Sequence, residues 1–206
     1  ESYIILDLRN KYLTNIYELF SDVLSYIDSS LKSADIKIYV FNSHERDIIA
    51  GTQPFINLTK KQEAYLIKNS LLVVSADNLS SYYASALGVP SVGLYSAYPA
   101  ECTAPLWSNL HSSLSSDHCG NLPSYGMEET PKTINFIKPE KLAALILEKL
   151  SIDSPIDVET IYMGDHYPVK VVEVIPDYVP PADFLQGRAI NLRADYHFHE
   201  ERIIHW

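Results

Sequence analysis

The segment from Leu71 to Ser96, LLVVSADNLSSYYASALGVPSVGLYS, contains two short apolar runs separated by small and polar residues. Each apolar run has the length of a strand, and the Ser- and Ala-rich residues between them predict a short helix. Gly88 suits the left-handed end of that helix, and Pro90 cannot continue it. A strand, a helix and a second strand in this order predict a βαβ unit with parallel strands.

The same alternation extends outward from this segment. Apolar runs of strand length lie at residues 3–8 and 36–41 before it, and at residues 134–137 beyond a long Ser-, Pro- and Gly-rich stretch. Strands that alternate with helices predict parallel pairing and a sheet covered on both faces. The fold class predicted for residues 1–150 is therefore α/β, with a Rossmann-like parallel sheet.

Capping signals mark the predicted helices. Apolar residues at helical spacing follow Thr14, whose hydroxyl is the expected N-cap of the first helix. Thr59 and Gln62 have the spacing of a capping box, and Asn69 suits the end of the helix that they begin. Pro139 suits the first position of a closing helix.

Residues 151–206 predict a separate C-terminal extension. A linker-like SIDSPID is followed by two apolar runs, at residues 169–175 and 189–192, with prolines between them. This pattern predicts the start of a second α/β unit. Two strands alone are marginal in water, so we expect this segment to dock on the remaining half of the protein or on another chain. The chain opens at Glu1 without Met, and we expect a fragment of a longer polypeptide.

Composition limits the classes of function. The 206 residues are 47% apolar and 20% charged, with a formal net charge of −10. An acidic chain without clustered Lys and Arg is not expected to bind nucleic acid or an anionic membrane. The apolar runs are too short to cross a bilayer, so no transmembrane segment is predicted. Two cysteines predict no disulfide framework, and the expected location is cytoplasmic.

The polar residues after the strand at 71–75 are the main candidates for a binding site. Ligands of open parallel sheets bind beyond the carboxyl ends of the strands, and Asp77 and Asn78 lie at such an end. The helix that follows presents unpaired N–H groups that attract phosphate, and Ser80 and Ser81 add hydroxyl donors. Asp77 would repel phosphate and suits sugar hydroxyls better. The alternative is that Asp77 or Asn78 only caps the helix.

The order of these elements resembles the ADP-heptose:lipopolysaccharide heptosyltransferase family, glycosyltransferase family 9. The resemblance rests on the quoted segment, on YPAECTAPLW and DHCGNLP after it, and on INFIKPEKLAALILEKL near residue 150. It covers residues 3–150 and implies the C-terminal, nucleotide-binding half of a GT-B fold. It further implies inverting sugar transfer from an ADP- or UDP-linked nucleotide-diphospho-sugar, with no cofactor. In this family the acceptor site and the expected catalytic carboxylate lie in the other half, so no catalytic residue is assigned.

The chain departs from the family pattern at several positions. Where the family has Asp-Ser/Thr-Gly-x-x-His, this chain has Leu79 for the glycine and Tyr82 for the histidine. Where the family has a Gly-rich motif after the first strand, this chain has Arg9, Asn10 and Lys11. Arg9 or Lys11 would supply positive charge to a diphosphate, and a solvated loop is the alternative. The expected nucleotide-binding residues are Asp77, Asn78, Ser80, Ser81, Tyr82, Arg9 and Lys11.

Two functions therefore stay open at the level of sequence. One is a glycosyltransferase part that binds the sugar donor, and the other is a non-catalytic glycosyltransferase-like scaffold or binding module. No metal is predicted. A His-x-His pair at His197 and His199 lacks an evident third ligand, and Cys102 and Cys119 lack the paired spacing of a zinc site.

Overall fold

The fold is described from a computed structural model, and the chain divides into two compact units, Glu1–Thr160 and Ile161–Trp206. The structure describes residues 1–10, 12–42, 49, 51–120, 122–124, 129–161, 171–174 and 189–192.

A six-stranded parallel sheet forms the centre of the first unit. Its strands are β1 (Ser2–Asp7), β2 (Ile36–Asn42), β3 (Gln53–Ile56), β4 (Leu72–Ala76), β5 (Ser91–Tyr95) and β6 (His111–Ser115). They lie in the order β3-β2-β1-β4-β5-β6, and every neighbouring pair is parallel. This is the strand order of the doubly wound nucleotide-binding fold. The predicted α/β class and Rossmann-like sheet are confirmed.

Helices cover both faces of this sheet. They are α1 (Phe20–Ser33), α2 (Lys60–Lys68), α3 (Leu79–Leu87), the single turn α4 (Ala100–Thr103) and α5 (Pro139–Lys149). Side chains alternate between the faces along each strand. Ile4 and Leu6 of β1 therefore pack with α1 and α5, whereas Tyr3 and Ile5 pack with α2 and α3. Asp7 continues the second series, and its side chain is buried.

The predicted capping signals after residue 58 are confirmed. Thr59 and Gln62 form the capping box of α2, and Asn69 is its C-cap. Pro139 occupies the first turn of α5. Gly88 ends α3 with φ at 72°, in the left-handed region that glycine adopts without steric cost.

Four local expectations differ from the structure. Residues Thr133–Phe136 form a 3-10 helix and not a strand, and this turn still buries Ile134 in the core that contains α1 and α5. The residues Leu13–Asn15 also form a 3-10 turn, so Thr14 caps no helix and α1 begins only at Phe20. The long Ser-, Pro- and Gly-rich stretch, for which no strand was predicted, contains β6, and the segment between residues 42 and 58, also without a predicted strand, contains β3.

The described part of the second unit is a parallel pair of strands, β7 (Val171–Val174) and β8 (Ala189–Leu192). Residues 151–160 belong to the first unit and bond to two of its helices, α1 and α5. Ser30 Oγ donates to Ser154 Oγ at 2.9 Å, and the Glu140 carboxylate accepts from the backbone and hydroxyl of Thr160. Docking of residues 151–206 on another domain or chain stays a prediction.

Candidate functional site

The candidate site lies beyond the carboxyl ends of β1 and β4. These strands are neighbours at the centre of the sheet, and the connections that leave them run in opposite directions, which opens a crevice between them. A cavity of about 480 Å³ lies there. Its lining residues are Asp7, Arg9, Asn10, Tyr12, Asn15, Lys60, Asp77, Asn78, Leu79 and Tyr98.

A buried charge network forms one wall of this cavity. The Arg9 guanidinium donates to both carboxylate oxygens of Asp7, with Nε–Oδ1 at 2.9 Å and Nη2–Oδ2 at 2.8 Å. Its Nη1 lies 2.5 Å from Oε1 of Glu63 on α2. Lys60 lies one turn before Glu63 on α2 and pairs with its other oxygen at 3.1 Å. The guanidinium also lies over the Phe41 ring, 5.0 Å from its centroid.

The network shifts the pKa values of Glu63 and Arg9 in favour of their charged forms. Asp7 and Glu63 are each only 2% exposed, so an unpaired carboxylate at either position would be costly. Burial alone would raise the pKa of Glu63, but its bonds to Arg9 and Lys60 outweigh burial and lower that pKa. Burial would likewise lower the pKa of Arg9, and the two carboxylates raise it above its usual range instead. Among the described residues that line the cavity, the cations Arg9 and Lys60 are therefore both paired with carboxylates.

The start of α3 forms the opposite wall. Asn78 caps the helix, since its Oδ1 accepts from the Ser80 backbone N–H at 2.9 Å. Its Nδ2 donates to the backbone carbonyl of Arg9 at 3.2 Å and so joins the two walls. Ser80 Oγ donates to Asp7 Oδ2, and Ser81 Oγ donates to the Asn78 carbonyl at 3.0 Å. Both serines are buried, and both hydroxyls donate within the protein.

Asp77 differs from the other acids of the site. Its side chain is partly buried at the exit of β4, and burial raises its pKa, which a bond to Thr103 lowers only in part. No Lys or Arg in the described part of the chain forms an ion pair with it. Asp77 is therefore a partly desolvated carboxyl that lines the cavity and has no ion-pair partner among the residues that the structure describes.

The structure brings only some of the expected residues together. Arg9, Asp77 and Asn78 line the cavity, whereas Ser80 and Ser81 lie behind its wall. The Tyr82 hydroxyl donates to the Thr103 carbonyl, and its ring packs on Trp107 with the centroids 5.6 Å apart. Tyr82 does not line the cavity. Lys11 lies outside the described residues, as do His197 and His199.

Several lining residues were missed in the sequence. Lys60 lies at the start of α2, outside the quoted segment, and Asn15 lies in the short 3-10 turn after β1. The position of Asp7 could have predicted a paired carboxylate, because an acid at the end of a buried apolar strand needs a partner. Glu63 carried another, because it occupies the buried side of α2 together with Ile67.

A second polar cluster lies between α3 and the β5–β6 edge of the sheet. His111 Nδ1 lies 2.8 Å from Ser91 Oγ, and its Nε2 lies 3.1 Å from Tyr95 Oη. Burial, with a smaller effect of Lys149, lowers the pKa of His111 to about 4. The same burial raises the pKa of Tyr95, so both groups are neutral near pH 7. Near pH 7 this cluster is therefore an uncharged network, and its residues do not line the cavity described above.

Other chemistry is limited in the described ranges. No group of three or more His, Cys, Asp or Glu side chains there could hold a metal ion. Cys102 and Cys119 are both exposed and unbridged. Within the same ranges, none of the helices has the length and apolar character that a bilayer span requires.

The strand order and the covering helices define a Rossmann-like fold with a crevice at its switch point, and this fold matches half of GT-B glycosyltransferase structures. No family model matches the chain, and no curated protein matches its sequence. Solved structures of family 9 glycosyltransferases do match its fold, as the sequence resemblance implied.

Three of these structures illustrate the similarity. The family 9 glycosyltransferase from Veillonella parvula has a TM-score of 0.56 at 15% identity, with 73% of this chain and 47% of that chain covered. The ADP-heptose lipopolysaccharide heptosyltransferase II of E. coli has a TM-score of 0.54 at 16% identity, over 73% and 46%. E. coli heptosyltransferase WaaC with ADP-2-deoxy-2-fluoro heptose has a TM-score of 0.52 at 12% identity, over 71% and 43%. The chain thus spans less than half the length of the proteins it matches.

Proposed function

We propose that this chain binds a nucleotide-diphospho-sugar, ADP- or UDP-linked, as the donor half of an inverting glycosyltransferase. The observation that carries the proposal is the cavity of about 480 Å³ at the switch point of the sheet. Sheets of this strand order bind their ligands at that point. The volume lies within the range of small-molecule sites.

The lining residues support this class of ligand. Asp77 offers carboxylate oxygens to sugar hydroxyls, and Tyr12 and Tyr98 offer aromatic surface to a base or a sugar ring. The positive end of the α3 dipole faces the same crevice. The structure of E. coli WaaC that shares this fold contains ADP-2-deoxy-2-fluoro heptose.

The mechanism would divide between two halves of the enzyme. In an inverting transfer, a base takes the proton of the acceptor hydroxyl while the acceptor oxygen attacks the sugar carbon and the diphosphate departs. This chain would hold the donor and orient its sugar toward the acceptor. The base and the acceptor site would come from the other half, as in the family that the chain resembles.

Calorimetric titration tests this function directly. ADP, UDP and their sugar conjugates would be titrated into the intact chain and into Asp77→Ala, with Asp28→Ala as a control at an exposed acid of α1. We expect saturable binding that Asp77→Ala weakens at least tenfold and Asp28→Ala leaves unchanged. Absence of heat and of thermal stabilisation with every nucleotide and sugar conjugate would contradict the proposal.

A non-catalytic scaffold is the second candidate, and the pairing of the cavity's cations favours it. Arg9 and Lys60 are held by Asp7 and Glu63, and Leu79 stands 58% exposed where the family has glycine. A folded chain that binds none of the ligands above would support this candidate.

A further inference from the structure

We propose that Lys60 binds the phosphate groups of the ligand, and that its ion pair with Glu63 holds the ammonium at the cavity wall for this contact. This inference rests on the proposed function, because it places a phosphorylated ligand in the same cavity. It goes further because it assigns a phosphate contact to the start of α2, outside the residues that the sequence pattern predicts.

The first argument is the position of Lys60. It is the first residue of α2, directly after the capping residue Thr59. Its side chain lines the same cavity as Asn78 and Leu79 at the start of α3. The N-terminal end of a helix attracts phosphate, so a phosphate near the start of α3 lies in the cavity that Lys60 also lines.

The second argument concerns the donors that Lys60 has to offer. Its Nζ lies 3.1 Å from Oε2 and 3.5 Å from Oε1 of Glu63. An ammonium carries three N–H donors, so this pairing leaves a donor for a ligand. The Lys60 side chain is 66% exposed, and a ligand therefore reaches it without displacing other protein groups.

Arg9, the other cation of the described lining, is held differently. Its Nε and Nη2 donate to Asp7, and its Nη1 donates to Glu63. Both carboxylates are only 2% exposed, so turning the guanidinium toward a ligand would leave buried charges without their partner. Lys60 needs no such exchange, because it can contact a phosphate while its pair with Glu63 stays in place.

The ion pair with Glu63 also lowers the cost of the contact. A lysine side chain has a flexible four-carbon stem, and fixing it on a ligand costs conformational entropy. Glu63 is itself fixed, since Arg9 donates to its Oε1 from the neighbouring wall. Part of the restriction of Lys60 therefore precedes binding, which favours affinity for the phosphate.

Calorimetry with two adjacent lysine variants tests the inference. Adenosine with ADP, and uridine with UDP, would be titrated into the intact chain, Lys60→Gln and Lys61→Gln, and thermal melts would verify that each variant is folded. Lys61 is the matched control, because it is the next residue of α2, is exposed and is not among the described lining residues. We expect Lys60→Gln to weaken binding of the diphosphate at least about tenfold, because a charge-assisted bond is lost, and to leave nucleoside binding within about twofold. We expect Lys61→Gln to change neither by more than about threefold.

The outcomes separate this inference from the proposed function. A smaller loss of diphosphate binding in Lys60→Gln, or an equal loss in Lys61→Gln, would overturn the inference and leave the proposed function standing. Nucleoside and diphosphate binding that weaken alike in Lys60→Gln would do the same, because Lys60 would then act on the shape of the cavity. Absence of binding to the intact chain throughout would overturn both.

Lys11 is measured in parallel, because it lies in sequence between the lining residues Asn10 and Tyr12 and outside the described residues. A loss of diphosphate binding in Lys11→Gln without one in Lys60→Gln would assign the contact to Lys11 and overturn the inference.

Salt dependence gives a second readout. Because Lys60 is largely exposed, added salt screens its attraction for phosphate. Raising the salt concentration from about 50 to 200 mM should narrow the difference in ADP affinity between the intact chain and Lys60→Gln. A difference that salt leaves constant would contradict a charge contact at this residue.

Discussion

Replacing Arg9 by methionine is the most direct test of the buried charge network. The substitution keeps an apolar side chain over Phe41 but removes the guanidinium from Asp7 and Glu63. Removing one partner from a buried ion pair costs about 3–5 kcal/mol, because it leaves a charge buried without a partner. Lys60 still pairs with Glu63, and Ser80 still donates to Asp7, so we expect the lower end, about 3 kcal/mol.

The assay is urea unfolding of both proteins at pH 7, with thermal melts beside it. A loss of about 3 kcal/mol lowers the melting temperature of a unit of this size by roughly 6–12 °C. The control is Lys32→Met, which breaks the exposed ion pair with Asp28 on α1 and should cost less than about 1 kcal/mol. An Arg9→Met variant no less stable than Lys32→Met would refute the reasoning.

The pH dependence of the same variant gives a second check. In the intact protein the pKa of Glu63 is lowered, so its contribution to stability is present above about pH 4.5 and is lost as the pH falls. Without Arg9, burial favours the protonated form of Glu63, and the variant loses less stability on acidification. The difference in unfolding free energy between the two proteins should therefore shrink below about pH 5. A constant difference would contradict this account.

Three further outcomes are expected. Burial lowers the pKa of His111 to about 4, so protonation of its ring destabilises the folded state. When the pH falls from 6.5, the intact protein should lose up to about 3 kcal/mol more unfolding free energy than His111→Gln, as measured by urea unfolding. Parallel profiles of unfolding free energy against pH would refute this. Gly93→Ala places a Cβ 2.5 Å from Tyr95 Oη and should cost about 1–3 kcal/mol; an unchanged melting temperature would contradict that contact. Asn78→Ala removes the cap of α3 and should lower the unfolding free energy by about 1–2 kcal/mol in urea unfolding. Asn78→Asp keeps a capping oxygen and should lower it by less than half as much.

The centre of the fold is predictable because its strands are buried on both faces. Such strands appear as continuous apolar runs, and β1, β2, β4 and β5 all do so. The helix α3 is equally clear, since Asn78 precedes it and Gly88 ends it. These local signals do not depend on distant parts of the chain.

The edges of the sheet are less predictable for a physical reason. The edge strand β6, HSSLS, has a single apolar residue, and β3 contains Pro54, which has no backbone N–H to donate. The residues of β3 and β6 are exposed or only partly buried, so they do not need to be apolar. Conversely, Ile134 and Phe136 are buried in a 3-10 helix, and a short apolar run does not by itself distinguish such a turn from a strand.

The candidate site is predictable where its residues closely follow a strand, as Arg9 follows β1. Asp77 and Asn78 are adjacent in sequence to β4, so the rule for parallel sheets places them at its carboxyl end. The partner of Arg9 on α2 is Glu63, which is 54 residues away. Such a pairing depends on how α2 packs on the sheet, and that packing is not encoded in any local pattern around either residue.

The bonds of Arg9 have a consequence for the kinetics of ligand binding. Its side chain holds α2 through Glu63, and its carbonyl holds the start of α3 through Asn78. The rim of the cavity is thus in place before a ligand arrives, and little conformational entropy is left to lose on association. The approach to binding equilibrium should therefore follow a single exponential, and its observed rate constant should rise linearly with ligand concentration. Different ligands should differ far more in residence time than in association rate constant.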